Sequence, residues 1–313
     1  MKKTTIIFSL LLLVGSVSFA QKQTPQEASA SKIINMTNGV IDMYNNYTKN
    51  LKKIREGLNK SVENRESLEK NPKSSGYGFN CNSFIITDSD IATYEKAAKA
   101  APAFPEKIKI QEAVAFVTAN NDELAKRCSA LSDYFNQKKH VDDAGFVQYQ
   151  ELFDSLSDMY VQISGAWKTA TELASDAGDR SEILFLKKSP ISEFIIPMKE
   201  DLSRAKKLID KLYEDEIDHA EIKADIATIE KEAEKNRSMT GKRKANLEKY
   251  SYPSFHTSFY AYIDDLVKDA TKLNDLLNPE ISASESHLED KINNTYYSVS
   301  GAYKGMITSY NEM

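Results

Sequence analysis

Between Phe146 and Ala174 the apolar side chains step by three and four residues without a miss: Phe146, Tyr149, Phe153, Leu156, Tyr160, Ile163, Trp167, Ala170 and Ala174. An α-helix turns every 3.6 residues, so this alternation draws one apolar seam along a helical face. A second row, Leu152, Met159, Ala166 and Leu173, runs beside it at seven-residue spacing and widens the face. Such a helix has to bury its seam against other helices.

The same alternation recurs along the chain. Val40, Tyr44, Tyr47, Leu51, Ile54 and Leu58 predict a helix from about Lys32 to Leu68. Val114, Val117, Leu124, Cys128, Leu131 and Phe135 predict one from Glu106 to Gln137. "TDSD" at 87–90 caps a short helix reaching Ala100. The segment from Glu182 to Glu214 holds Pro190 and Pro197 and is broken or kinked, with a regular seam at Ile195, Met198, Leu202, Ala205, Ile209 and Leu212. A shorter helix covers Asp218 to Asn236, and two more cover about 254–278 and 283–312. Ser282 stands three residues before Glu285, the spacing of a capping box for the last helix. Only 11 glycines and 8 prolines punctuate 313 residues. Strand alternation is confined to a short piece at "SFIIT". The expected fold is all-α: an elongated antiparallel helical bundle of about six to eight helices over 32–313, with a sub-division near 215.

The N-terminus predicts the compartment. Lys2 and Lys3 precede the apolar run Ile6 to Val14, and Ser18-Phe19-Ala20 fits the small-x-small pattern of a signal peptidase cut. Residues 1–20 read as a cleaved signal peptide and 21–31 as a flexible leader. The apolar run is shorter than the roughly 20 residues a spanning helix needs. No later run is apolar enough to span a bilayer, and no cysteine follows the cut to carry a lipid. Cleavage removes 20 residues and two lysines, taking the formal charge from −5 to −7. A mildly acidic chain is a poor binder of nucleic acid. The expected location is periplasmic or extracellular.

Two stretches, "IDMYNNY" in the first helix and "LSDYFNQKKHVDDAGFVQYQELFDSL", resemble the YiiG-like bacterial envelope proteins. Those are helical domains of unknown function, often lipoproteins. The resemblance implies a secreted, elongated helical domain and supplies no catalytic residues. The chain departs from it by lacking a lipid-attachment cysteine and by carrying a glycine-rich insert, "SSGYGFNCNS", around Cys81.

Sites of chemistry are few. Glu216-x-x-His219 has the spacing of a di-iron bundle ligand pair, but no second such pair exists, and a solvated turn is the competing reading. His140, His256 and His287 form no two-histidine pair on one helical face. There is no Gly-x-Ser-x-Gly elbow and no phosphate loop, and no cofactor is implied. Asp142-Asp143 and Asp264-Asp265 are neighbours that point apart on a helix and read as caps or surface charges. Lys242, Arg243 and Lys244 lie in a basic loop that reads either as a contact for an anionic surface or as a solvated loop. Tyr252, Phe255, His256, Phe259 and Tyr260 crowd one helix start. They either cradle a ligand or pin that helix to its neighbours. Gly301 and Gly305 have the spacing of a close helix contact.

The two cysteines, Cys81 and Cys128, are expected to form a disulfide, against the alternatives of free thiols or a redox pair. The bond would close a loop of 47 residues and add about 4 kcal/mol in the chain-entropy model. The expected function is an exported non-enzymatic helical protein of the envelope, binding or scaffolding an unknown envelope protein or small ligand. The alternative is a small-ligand or metal-binding bundle with an aromatic-lined entrance near 250–262.

Overall fold

The computed structural model describes residues 24–74, 76–79, 81, 86–214, 217–238, 253–283 and 285–313. Among them are nine α-helices and no strand. The expected signal peptide, the loop with Lys242, Arg243 and Lys244, and most of "SFIIT" lie outside the described residues. The chain divides into two compact units, one ending at Glu182 and one beginning at Ile183. That division falls well before the sub-division read near 215.

The first unit holds α1 (Pro25–Lys70), α2 (Asp88–Ala100), α3 (Lys107–Asn136) and α4 (Val147–Leu186) up to Glu182. The helix α1 starts at Pro25, so most of the expected flexible leader is helical. The reason is local. The Thr24 hydroxyl accepts the Glu27 backbone N–H, the Glu27 carboxylate accepts the Thr24 N–H, and Pro25 is preset for the first turn. Thr87 and Asp90 form the same box at the start of α2, as "TDSD" predicts.

Every seam residue expected on α1 and α3 is buried. On α4 the seam is narrower than its sequence implies: Phe146, Phe153 and Tyr160 are half-buried, while Tyr149, Leu156, Ile163 and Trp167 are buried. Cross-links give the register. Ser61 Oγ and Tyr149 Oη are 3.3 Å apart, and a side chain at Gly178 would touch Thr37. Arg127 Nη1 donates to the Ser155 carbonyl at 3.0 Å, and Arg180 pairs with Glu106 at 2.7 Å. Thus α4 runs antiparallel to both α1 and α3.

The glycine-rich insert is pinned to this unit. Cys81 and Cys128 are joined, with alpha carbons 5.6 Å apart. The Phe79 N–H donates to Ser132 Oγ, which donates back to the Phe79 carbonyl, and the Gly78 N–H donates to Asn136 Oδ1. A side-chain carbon at Gly78 would sit 2.3 Å from the Asn136 amide, and one at Gly57 2.5 Å from the Phe79 ring. Glycine is used at both places for close approach.

The second unit holds α5 (Ser192–Leu212), α6 (His219–Arg237), α7 (Pro253–Leu277), α8 (Pro279–Ser282) and α9 (Leu288–Asn311). Pro190 lies in the break before α5, and Pro197 lies inside that helix. Phe194, Met198, Leu208, Ile263, Leu273, Val299 and Met306 form a continuous core. Lys211 of α5 bridges Glu221 and Asp225 of α6, and Tyr296 of α9 donates to the Leu212 carbonyl.

Two expectations here are corrected. Ser282 does not cap the last helix. Asn278 caps α8 instead, accepting the Glu280 N–H, and α9 begins only after His287, whose backbone is left-handed. Of the two glycines, Gly305 lies under the Tyr262 ring, where a side-chain carbon would be 2.5 Å away, but Gly301 faces nothing within 4 Å.

Candidate functional site

The aromatic run at the start of α7 is the strongest sequence candidate for a ligand site. The structure turns most of it inward. His256, Phe259 and Tyr260 are buried, Phe255 is half-buried, and Tyr252 lies outside the described residues. Residues three and four apart share a helical face, which brings His256, Phe259 and Tyr260 to the core together. The His256 ring meets Phe194 of α5 edge-on at 5.5 Å and Tyr260 at 4.8 Å. Tyr260 meets Phe259 at 5.2 Å. These side chains fill the unit and pin α7 to α5.

Beneath them lies a polar cluster that the periodicity did not single out. Asp201 of α5 is 0% exposed. Its Oδ1 accepts from Arg204 Nη1 at 2.7 Å. Its Oδ2 accepts from Asn236 Nδ2 of α6 at 2.9 Å and from Tyr260 Oη of α7 at 3.3 Å. One carboxylate therefore ties three helices together. Burial pushes its proton affinity up, opposed by Asn236, Arg204 and Tyr260, and the rise wins. Both oxygens are committed to neighbours, so the group is built to hold helices. A sequence signal for it exists: Phe194, Met198, Asp201, Ala205, Leu208 and Leu212 step by four and three, with aspartate on an otherwise apolar row. Lys199, also buried, lies 5.7 Å from the centre of the Tyr310 ring, at cation–π range.

The remaining candidates disperse. His219 Nδ1 is 2.8 Å from Asn274 Oδ1, which fastens the start of α6 to α7, while Glu216 lies outside the described residues. His140 packs beside Tyr134 and Phe135, and His287 makes the turn before α9. Among the described residues no three His, Cys, Asp or Glu side chains gather closely enough to hold a metal ion. No helix there is long and apolar enough to cross a membrane.

The two aspartate pairs act as caps and surface partners. Asp143 accepts the Tyr134 phenol at 2.8 Å and the backbone N–H groups of Gln148 and Tyr149, which opens α4. Burial raises its proton affinity, but those bonds outweigh burial and hold it below the ordinary carboxylate value. Asp264 accepts from both terminal guanidinium nitrogens of Arg237, at 3.0 and 2.5 Å.

No functionally curated protein matches the sequence. Two solved structures are similar in fold. One is an alpha-helical protein from Bacteroides fragilis NCTC 9343, 13% identical, with a TM-score of 0.50 over 88% of this chain and 98% of that one. The other is an uncharacterized DUF3829-like protein from Bacteroides thetaiotaomicron VPI-5482, 15% identical, with a TM-score of 0.50 over 91% of this chain and all of that one. Likeness at this identity speaks for fold alone, and it agrees with the helical architecture described above. The sequence itself carries the family: matched over residues 40–312, the chain belongs to the protein family of unknown function DUF3829.

Proposed function

We propose that this is an exported, non-enzymatic helical protein of the bacterial envelope that works by binding or scaffolding a partner. The Cys81–Cys128 bond carries the export reading. A disulfide persists in the periplasm or outside the cell and is rare in a reducing cytoplasm. The positive and apolar N-terminus points the same way. The binding reading rests on how the buried polar groups are used. Asp201, Asp143 and His219 spend their bonds on neighbouring helices, which suits a scaffold. The YiiG-like resemblance is the finer form of this proposal and adds the envelope as the setting.

The test is fractionation of bacterial cells expressing the full chain, with thiols blocked at lysis. The expected result is a chain outside the cytoplasm that begins at Gln21 by intact mass and carries no free thiol. A cytoplasmic chain that keeps its first twenty residues and two reactive thiols would overturn the proposal.

A further inference from the structure

The seam of α3 has a polar residue in the middle. Ile110, Val114, Val117, Leu124, Cys128 and Leu131 are all buried, and Asn121 stands on the same row, only 4% exposed. Its Oδ1 is sealed from solvent and has no hydrogen-bond partner in the protein. Ser164 Oγ and Trp167 Nε1 on α4 share that condition, as do Tyr94 Oη and His140 Nδ1 elsewhere in the unit. Tyr47 Oη on α1 is sealed as well, with the Asn50 side chain beside it. Trp167 is 0% exposed and Tyr47 1%.

The register brings Tyr47, Asn121, Ser164 and Trp167 to one level of the bundle. The Arg127–Ser155 and Glu106–Arg180 links set α3 against α4, and between them Asn121 stands opposite the turn 161–165. The Ser61–Tyr149 and Thr37–Gly178 contacts set α1 against α4, and between them Tyr47 stands opposite 164–168. The Tyr47 and Trp167 ring centres are 5.8 Å apart. Burial pushes the Tyr47 phenol up to about 12, with the Asn50 side chain opposing the rise, so its proton is retained at neutral pH.

A buried polar atom without a partner costs about 1–3 kcal/mol. Three in one layer would consume much of the roughly 5–15 kcal/mol that holds a domain folded. The layer offers an indole donor, an amide acceptor and two hydroxyls that can act either way. None of the four carries charge, so the set suits a small neutral molecule. We propose that this level of the first unit is an internal hydration site, in which ordered water bridges Tyr47, Asn121, Ser164 and Trp167. Water donates twice and accepts twice, and buried waters take about three such bonds. The site explains how asparagine is accommodated on a seam row: water completes its bonds.

Trp167 is the only tryptophan in the chain, so its indole N–H gives a single assignable resonance in the full protein. The expected result is a dipolar cross-peak between that proton and water, with the sign of a long-lived contact. It should occur while Trp167 fluorescence stays shielded from aqueous quenchers. Absence of the cross-peak, or emission open to quenchers, would overturn the proposal. Asn121→Leu should abolish the cross-peak or sharply reduce it. Should that variant not fold, Ser164→Ala reads the same site, because it removes one atom from a half-exposed residue. A cross-peak at full strength in every variant that folds would mean that water is not held by this set, and would sink the assignment.

Discussion

Asp143, in the unit ending at Glu182, and Asp201, in the unit that follows, are both fed by three hydrogen-bonding neighbours, yet their proton affinities move in opposite directions. Asp143 sits half-exposed at the head of α4. Burial is the largest single influence and raises it, but the Tyr134 phenol and the backbone N–H groups of the first turn together outweigh that rise. Asp201 sits at 0% exposure, and there burial outweighs Asn236, Arg204 and Tyr260. The number of bonds is therefore a poor guide to how a carboxylate behaves. Depth decides, because desolvation of the charged form grows with burial faster than a few dipoles can offset it. One aspartate organises a helix start at the surface; the other clamps a core.

The largest effect that would sharpen this contrast comes from the apolar frame around the clamp. Phe259→Ala should cost roughly 3–5 kcal/mol, the usual range for removing a fully buried ring. Urea or thermal melts of the purified protein read it directly. A loss below 1 kcal/mol would mean that Phe259 lines a ligand entrance after all and that the second unit is not packed as described.

Asp201→Asn comes next, at about 2 kcal/mol at neutral pH, since a charged acceptor for Arg204 is lost while a shape and one oxygen remain. Its pH dependence is the sharper test. A carboxyl whose folded value lies above its ordinary 3.8 binds a proton in the native state before it does when unfolded. Its contribution to stability is then fully present below 3.8 and lost as pH rises through the raised folded value. Asparagine does not titrate, so the penalty of the variant should grow on acidification from pH 7. A penalty that shrinks instead would place Asp201 with Asp143.

Most of the fold was legible because a seam is a local, repeated signal. The residues read on α1 and α3 are buried as the three-four alternation requires. The misses have separate physical causes. Residues 25–31 looked like a leader because they lack large apolar side chains, yet the Thr24–Glu27 box and Pro25 are enough to start a helix that then buries Ala30 and Ile34. Ser282 lost its cap role to Asn278-Pro279, a stronger local start that ends the turn before α9 begins. The site was harder to read, because aromatic clusters fill cores and line pockets with the same residues. What the sequence did carry, and apolar counting passes over, is polarity on a seam row. Asp201 and Asn121 both occupy such rows, and each marks a place where burial demands a partner from another helix or from solvent.

The smallest effect separates the two carboxylates most cleanly. Tyr134→Phe removes the phenol that donates to Asp143 and leaves the buried ring in place. The cost should be about 1 kcal/mol at neutral pH, at the low end for a bond to a charged acceptor because water can reach the half-exposed carboxylate. A carboxyl held below its ordinary 3.8 contributes stability that is present above that value and lost as pH falls through the folded value. The phenol contributes to that depression, so its removal should matter less in acid than at pH 7. The Tyr134→Phe penalty therefore shrinks on acidification while the Asp201→Asn penalty grows. Chemical denaturation of both variants and the parent protein, repeated from pH 7 down to pH 3, should give slopes of opposite sign. Slopes of the same sign would mean that depth does not separate the two aspartates and that the hydrogen bonds alone set their behaviour.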